Sequence, residues 1–373
     1  MKKFVLIPDS FKGTLSSSRV CEIMESEIRK RFQDAVIIKI PVADGGEGSV
    51  DTFLEALGGE KIYTTVSDPY FEPMKSFYGL IDNGETAVLE MASCSGLPLV
   101  EERKDPSQTT TYGVGELIRH AALKGVKKII VGLGGSATND GGCGCAAALG
   151  IRFINAKGES FVPVGGTLNL IEQIDSSNLD PILKGIEFIT MCDINNPLYG
   201  KEGAAHVFGP QKGADPDMVE FLDKNLKHLS KAVQRDLGFK DWDFPGAGAA
   251  GGMGYGMKVF LGSKLQMGIE TVLDIVKFDD LISDADYVIT GEGKLDYQSL
   301  RGKVVIGVAR RAKKYSNRVI AVVGTRGEGS EGAINEGVDE IVVTNYLNLP
   351  FEKVKPRAEE DLRKVLSDWV QKI

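Results

Sequence analysis

No stretch of this 373-residue chain approaches the roughly 18 uninterrupted apolar residues that a membrane-spanning helix needs. Basic blocks are also missing. Against 52 acidic residues stand 44 lysines and arginines, for a net charge of −8, and the basic residues form no cluster. Nucleic-acid binding relies on clustered cations that neutralise phosphates, so the charge pattern argues against such a partner. The five cysteines, at 21, 94, 143, 145 and 192, contain no C-x-x-C pair. Their odd number and this spacing predict a soluble protein in a reducing, cytoplasmic setting, with no membrane partner. His120, His206 and His228 lie far apart, outside any H-E-x-x-H pattern, so a histidine metal site is not expected. Cys143 and Cys145 lack suitably spaced further ligands and read as small buried residues. Two catalytic signatures are absent as well: G-x-x-x-x-G-K-[ST], which excludes a P-loop nucleotide site, and the G-x-S-x-G elbow of serine hydrolases.

Glycine, by contrast, is abundant. The 45 glycines exceed the usual share of roughly 7%. They cluster at 45–48, 132–144, 246–256 and 291–293 instead of recurring at a fixed period. This distribution predicts several tight backbone loops serving one site.

The chain is long enough for about two domains. Its N-terminus, MKKFVLIPDS, has two lysines before an apolar run, but Pro8 and Asp9 end that run too early for a signal peptide, so it reads as a first strand. Ser16 is a candidate N-cap for a helix carrying Val20, Ile23, Met24 and Ile28 at helical spacing. A second strand is expected within 35–46, followed by a helix over 49–57. From Lys61, the segments KIYTTV, KSFYGLI and TAVLEMA suggest an antiparallel or mixed sheet. A helix over 112–124 then leads into VKKIIVGLGG. The chain closes with strands in DYVITGEG, RVIAVVG and EIVVTN, a helix in KVVIGVARRAKKY, and a final helix over 359–373. These elements predict an α/β protein. A flavodoxin-like doubly wound parallel-sheet domain would be formed by both chain ends, 1–65 and 275–373, with a second α/β domain inserted at 66–274 and a cleft between them.

Several loops carry candidate chemistry. LGGSATNDGG (133–142) follows a strand, and its backbone N–H groups, with Ser136, Thr138 and Asn139, suit an anion at the start of the helix CGCAAALG. The competing reading is a tight turn in which Asp140 caps that helix. Gly132, Gly134 and Ala137 also fit the dinucleotide pattern G-x-G-x-x-A, but the segment 138–142 interrupts the helix start, and RFINAKG lacks the downstream acid that would hold a ribose. ADGGEG (43–48) brings Asp44 and Glu47 to the end of the second strand, where hard carboxylates suit Mg²⁺. TGEGKLDYQS repeats that logic with Glu292, Asp296 and Lys294. PDSFKGTLS sets Asp9, Ser10 and Lys12 at the end of the first strand. CDINNPLYG gives Asp193 as a base or magnesium ligand, and FGPQKGA offers Lys212 in a glycine turn.

In this order, PDSFKGTLS, ADGGEG, LGGSATNDGG, DINNPLYG with GAAHVFGPQKGA, GAGAAGGMGYG and GEGKLDYQSLRGK resemble the bacterial type I glycerate kinases over essentially the whole chain. Departures at Met253 and Val305 concern packing. The resemblance implies two α/β domains around a cleft and transfer of the γ-phosphoryl of ATP to the 2-hydroxyl of D-glycerate, with Mg²⁺. Within that reading, Gly134, Gly135, Ser136, Thr138 and Asn139, with Ser10, serve ATP. Lys12 serves the transferring phosphoryl or the glycerate carboxylate, and Asp44, Glu47 and Glu292 serve Mg²⁺ or its waters. Asp193 or Asp296 orients the hydroxyl and accepts its proton. Two other readings compete: a nucleotide-dependent oxidoreductase of a small hydroxy acid, and a non-catalytic nucleotide or sugar-acid sensor. The residues leave open the choice between the 2- and 3-hydroxyl, the specificity among hydroxy acids and the oligomeric state, a homo-oligomer included.

Overall fold

A computed structural model describes residues 1–42, 48–315 and 317–373, and the chain divides into two compact units. One gathers Met1–Asp44, Glu55–Leu57 and Met267–Ile373; the other comprises Gly45–Leu54 and Gly58–Gln266.

The first unit is built on a parallel sheet of five strands. Their order across the sheet is Glu340–Val343, Arg318–Arg326, Tyr287–Leu295, Lys3–Pro8, Val36–Lys39. Near-continuous apolar runs such as FVLI are what a parallel strand covered on both faces requires, and Phe4 to Ile7 are fully buried. Numbered within this unit, the strand order is 2-1-3-4-5, the doubly wound arrangement whose switch point lies between the first and third strands. Phe4 pairs with Tyr287 and Pro8 with Gly291 across that point. The helix Ser17–Arg29 starts where expected, because the Ser16 side chain accepts the Arg19 N–H. Its apolar stripe, Val20, Ile23, Met24 and Ile28, shares a core with Leu362, Leu366 and Trp369 of the C-terminal helix Ala358–Val370. The ion pairs Arg19–Glu359 and Arg363–Glu27 join the same two helices.

The second unit holds a mixed sheet of six strands. Their order is Lys264–Gln266, Glu187–Met191, Lys128–Gly132, Thr86–Glu90, Pro73–Ile81, Glu60–Ser67. Turn signals at DPYFEP and IDNGE do produce antiparallel pairing of the last three strands, while the first four run parallel. Glu60–Ser67 pairs along its length with Pro73–Ile81 and so belongs to this sheet. A further three-stranded sheet, Ser160–Phe161, Arg152–Ile154 and Gln173–Asp175, has strands too short for any periodic signal. The 22-residue helix Pro216–Leu237 begins at an Asp215 cap with Pro216 in its first turn.

One register positions the second unit's loops. Glu90 pairs with Gly132, Gly132 with Met191, and Met191 with Gln266, so four parallel strands finish flush at one edge of the sheet. The glycine cluster 246–256 explains how the loop after Gly132 is held there. Ala250, Gly251 and Gly252 adopt left-handed backbone within Ala249–Leu261. A Cβ on Gly251 would lie 1.9 Å from the Thr138 carbonyl oxygen, and one on Gly256 2.5 Å from that of Gly141. Two glycine-rich segments thus meet backbone to backbone, which side chains would prevent. No helix among the described residues is long and apolar enough to cross a membrane.

Candidate active site

In the first unit, Asp9, Lys12 and Glu292 collect at the switch point. Asp9 follows the first strand, its N–H donating to the Gly291 carbonyl at 2.8 Å and its Oδ1 accepting from Ser10 N at 2.6 Å. Reciprocal hydrogen bonds between Phe11 and Leu15 close a turn that leaves Lys12 exposed at its tip. Gly293 runs beside this turn: a Cβ there would come 3.3 Å from Lys12 N. Glu292, inside the strand Tyr287–Leu295, is buried, and its Oε1 has no hydrogen-bond partner among the described residues. Burial pushes its pKa up to about 7; a contact with the Ser299 hydroxyl opposes this and the nearby Asp9 charge adds to it.

Asp296 is otherwise engaged. Its Oδ1 accepts the Gln298 N–H at 2.9 Å and its Oδ2 pairs with Lys294 Nζ at 3.2 Å. Burial pushes its pKa up, but the Lys294 hydrogen bond and the Gln298 N–H outweigh this and hold it below the usual range. Asp44 and Glu47 lie outside the described residues.

In the second unit, Gly134 and Gly135 form the accessible tip of the loop after Lys128–Gly132, with Gly135 in left-handed backbone. From Ser136 onward the loop is buried. Leu97 N donates to the Gly135 carbonyl at 2.8 Å, Ala137 N to Ser95 O at 2.9 Å, and Thr109 Oγ1 to Ala137 O at 2.9 Å. Asp193 is half-buried, two residues beyond Glu187–Met191 at the same sheet edge.

The anion cradle expected at the start of CGCAAALG is not available, because the fold has already filled it. Asp140 is fully buried and accepts Thr111 N and Oγ1 at 2.8 Å each, Gly142 N at 3.1 Å and Gly144 N at 3.2 Å. The Cys145 N–H goes to Thr111 Oγ1 and that of Cys143 to Asp140 O. Asp140 is therefore the cap of the helix Cys143–Ala148. One step earlier in the loop, Thr138 Oγ1 and both polar side-chain atoms of Asn139 are buried without a partner among the described residues. The helix opens only at Cys143, well past Ala137, so the dinucleotide reading lacks the helix it requires.

Two buried charged residues are tied to these loops more closely than their sequence context suggested. Lys212, in the turn Pro210–Lys212, is 2% exposed and donates to Ser136 Oγ at 2.8 Å and Thr138 O at 2.7 Å. Burial pulls its pKa down to about 7, against the opposing pull of Asp140. Glu90, buried at the end of its strand, accepts Gly48 N and Val50 N at the start of the helix Ser49–Leu57. Its pKa is raised by burial and lowered by these two N–H groups, with a net rise. The only signal for either was a charged residue beside a glycine turn or at a strand end.

The family model described as "Glycerate kinase family" matches residues 4–373. A glycerate kinase of Bacillus subtilis is 42% identical over 367 residues, covering 98% of this chain and 96% of the relative. The glycerate 2-kinase of Escherichia coli is 44% identical, over 91% and 89% of the two chains. A crystal structure assigned to glycerate kinase 2 of Salmonella typhimurium LT2 superposes with a TM-score of 0.88 at 41% identity, covering 100% of this chain and 98% of the other. The match spans both units, and on that ground the chain belongs to the glycerate kinase family.

Proposed function

We propose that this kinase transfers the γ-phosphoryl of ATP to the 2-hydroxyl of D-glycerate, giving 2-phosphoglycerate and ADP. The observation that carries the reading is the full-length similarity to relatives named for glycerate phosphorylation, including a glycerate 2-kinase. Phosphoryl transfer asks a protein chiefly for positioning and charge compensation, and both units offer groups of that kind.

Mg²⁺ fits the residues present at the switch point. The unpartnered oxygen of Glu292 lies near the Asp9 charge, and a divalent cation relieves both the missing ligand and the repulsion. Among the described residues, no group of three or more His, Cys, Asp or Glu side chains forms a cage. Mg²⁺ commonly keeps several waters and takes one or two carboxylates together with substrate phosphates. Asp44 and Glu47 remain further candidates as ligands or as partners of its waters. When bound, the ion supplies neutralisation of charge on the phosphates.

The remaining roles fall to this chain's own side chains. Lys12, on its exposed turn beside Ser10, compensates negative charge on the phosphoryl group or the glycerate carboxylate. The loop from Gly134 to Asn139 takes the ATP phosphates. Asp193 orients the acceptor hydroxyl and takes its proton; Asp296, tied to Lys294 and its own turn, is the weaker candidate.

The test is release of ADP with D-glycerate and Mg²⁺, followed by ³¹P NMR of the product. ADP release with phosphorus on the 2-oxygen supports the reading, whereas a 3-phosphate corrects the regiochemistry. Tight ATP binding without ADP release would favour a sensor, and NAD(P)H binding seen by fluorescence would favour the oxidoreductase.

A further inference from the structure

Lys212 is a cation that the fold has removed from water without a carboxylate in hydrogen-bond contact among the described residues. Both of its acceptors, Ser136 Oγ and Thr138 O, are neutral. Asp140, the acid that acts on it electrostatically, uses its oxygens for Thr111, Gly142 and Gly144. An ammonium has three protons, and these two acceptors take two of them. The segment that supplies both acceptors continues into Thr138 Oγ1, Asn139 Oδ1 and Asn139 Nδ2, all buried without a partner among the described residues. A buried ammonium without a directly bound carboxylate and three polar atoms without partners, both among the described residues, are each unfavourable. One ligand oxyanion meets both needs.

We propose that Lys212, Thr138 and Asn139 form a binding subsite for one oxyanion, either a nucleotide phosphate or the carboxylate of the hydroxy acid. The oxyanion accepts the third ammonium proton and hydrogen bonds from the Thr138 hydroxyl and the Asn139 amide. This rests on the function proposed above and adds Lys212 to its binding groups. A purely structural pin would need no charge at residue 212, since any neutral donor could bridge Ser136 Oγ and Thr138 O, and it would leave the three unmet atoms unexplained. Enclosed water would serve those atoms but would not balance the ammonium.

The experiment titrates ADP and D-glycerate separately into the full-length protein, comparing wild type with Thr138→Val and Lys212→Met and recording each Tm. Thr138→Val removes a hydroxyl that has no partner in the protein, so its Tm stays at or above that of wild type while one ligand binds about tenfold more weakly. Lys212→Met weakens the same ligand by about a hundredfold. Loss confined to ADP identifies a nucleotide phosphate, and loss confined to D-glycerate identifies the carboxylate. Affinities within about twofold of wild type for both ligands in both variants overturn the subsite. Where Lys212→Met fails to fold, Thr138→Val and Asn139→Ala decide the matter alone. If wild type binds neither ligand, the kinase reading falls by itself. Inorganic phosphate then serves as the probe: protection of wild type against heat that is lost in the variants upholds the subsite, and no protection of wild type overturns it.

Discussion

The carboxylate of Glu90 accepts the backbone N–H of Val50 at 2.5 Å and that of Gly48 at 3.1 Å, tying the end of a central strand to the start of the helix Ser49–Leu57. A helix start has unmatched N–H groups and a partial positive charge, and Glu90 answers both from a distant part of the sequence. It thereby fixes the exit of ADGGEG. Glu90→Ala leaves two N–H groups without their acceptor and should cost about 2–4 kcal/mol in chemical denaturation, with Glu90→Gln losing roughly half of that. A loss below about 0.5 kcal/mol for Glu90→Ala would show that water replaces the carboxylate without penalty.

Gly251 and Gly262 offer a paired test of the glycine interlock. Both have left-handed backbone, at φ +67° and +63°, but a Cβ on Gly251 would strike the Thr138 carbonyl whereas one on Gly262 would meet nothing within 4 Å. Gly262→Ala should therefore cost only the conformational penalty of about 1 kcal/mol. Gly251→Ala should cost about 3 kcal/mol or more and should also weaken ligand binding at the Thr138 loop. Equal losses in the two variants would mean that backbone conformation, not close approach, explains the glycine at 251.

Neither Lys12 nor Asp193 is buried, so their replacement should alter rate more than stability. Lys12→Ala should lower kcat/KM by about a hundredfold, and Asp193→Asn should lower kcat by about 10² to 10⁴, each with a nearly unchanged Tm. Asp296→Asn should fall short of tenfold, roughly, because its carboxylate already serves Lys294 and Gln298. Near-normal turnover in both Lys12→Ala and Asp193→Asn would remove the roles assigned to them.

The pH dependence of stability has a defined sign at Lys212. Its pKa lies at about 7 in the folded protein and 10.5 is the ordinary value, so between these limits the unfolded chain binds more protons than the native one. Stability contributed at this site should therefore rise with pH across that window, and the burial penalty should apply in full below about pH 7. Denaturation of wild type and Lys212→Met at several pH values isolates the effect: wild type should gain on the variant between about pH 7 and pH 9. Ligand affinity should move the other way. The ligand weakened by Lys212→Met should bind wild type less tightly as pH rises above about 7, because the ammonium is lost. A flat difference between the two proteins would show that Lys212 does not titrate in this range.

What the sequence disclosed follows how local each signal is. The Ser16 cap, the helix Ser49–Leu57 and the strands of the first unit depend on neighbouring residues, so spacing and capping chemistry sufficed to find them. The three-stranded sheet has strands of two or three residues, too short for a period. Lys212 was visible only as a cation in a glycine turn, because its burial depends on Ser136, 76 positions away. Glu90 looked like the end of a strand, since its partners lie 40 and 42 residues earlier. In LGGSATNDGG, Asp140 makes the turn, and Thr138 and Asn139 keep side-chain polar atoms without partners among the described residues.

The strand Lys3–Pro8 occupies an inner position in its sheet, yet the neighbour on one side, Tyr287–Leu295, lies some 283 residues further along the chain. During synthesis that partner emerges late, after the contiguous segment Gly58–Gln266 has been made. The second unit can therefore complete its sheet early, while the first strand waits with one edge unpaired. In refolding, this sequence separation predicts a fast phase from the second unit and a slow phase in which the two chain ends find each other.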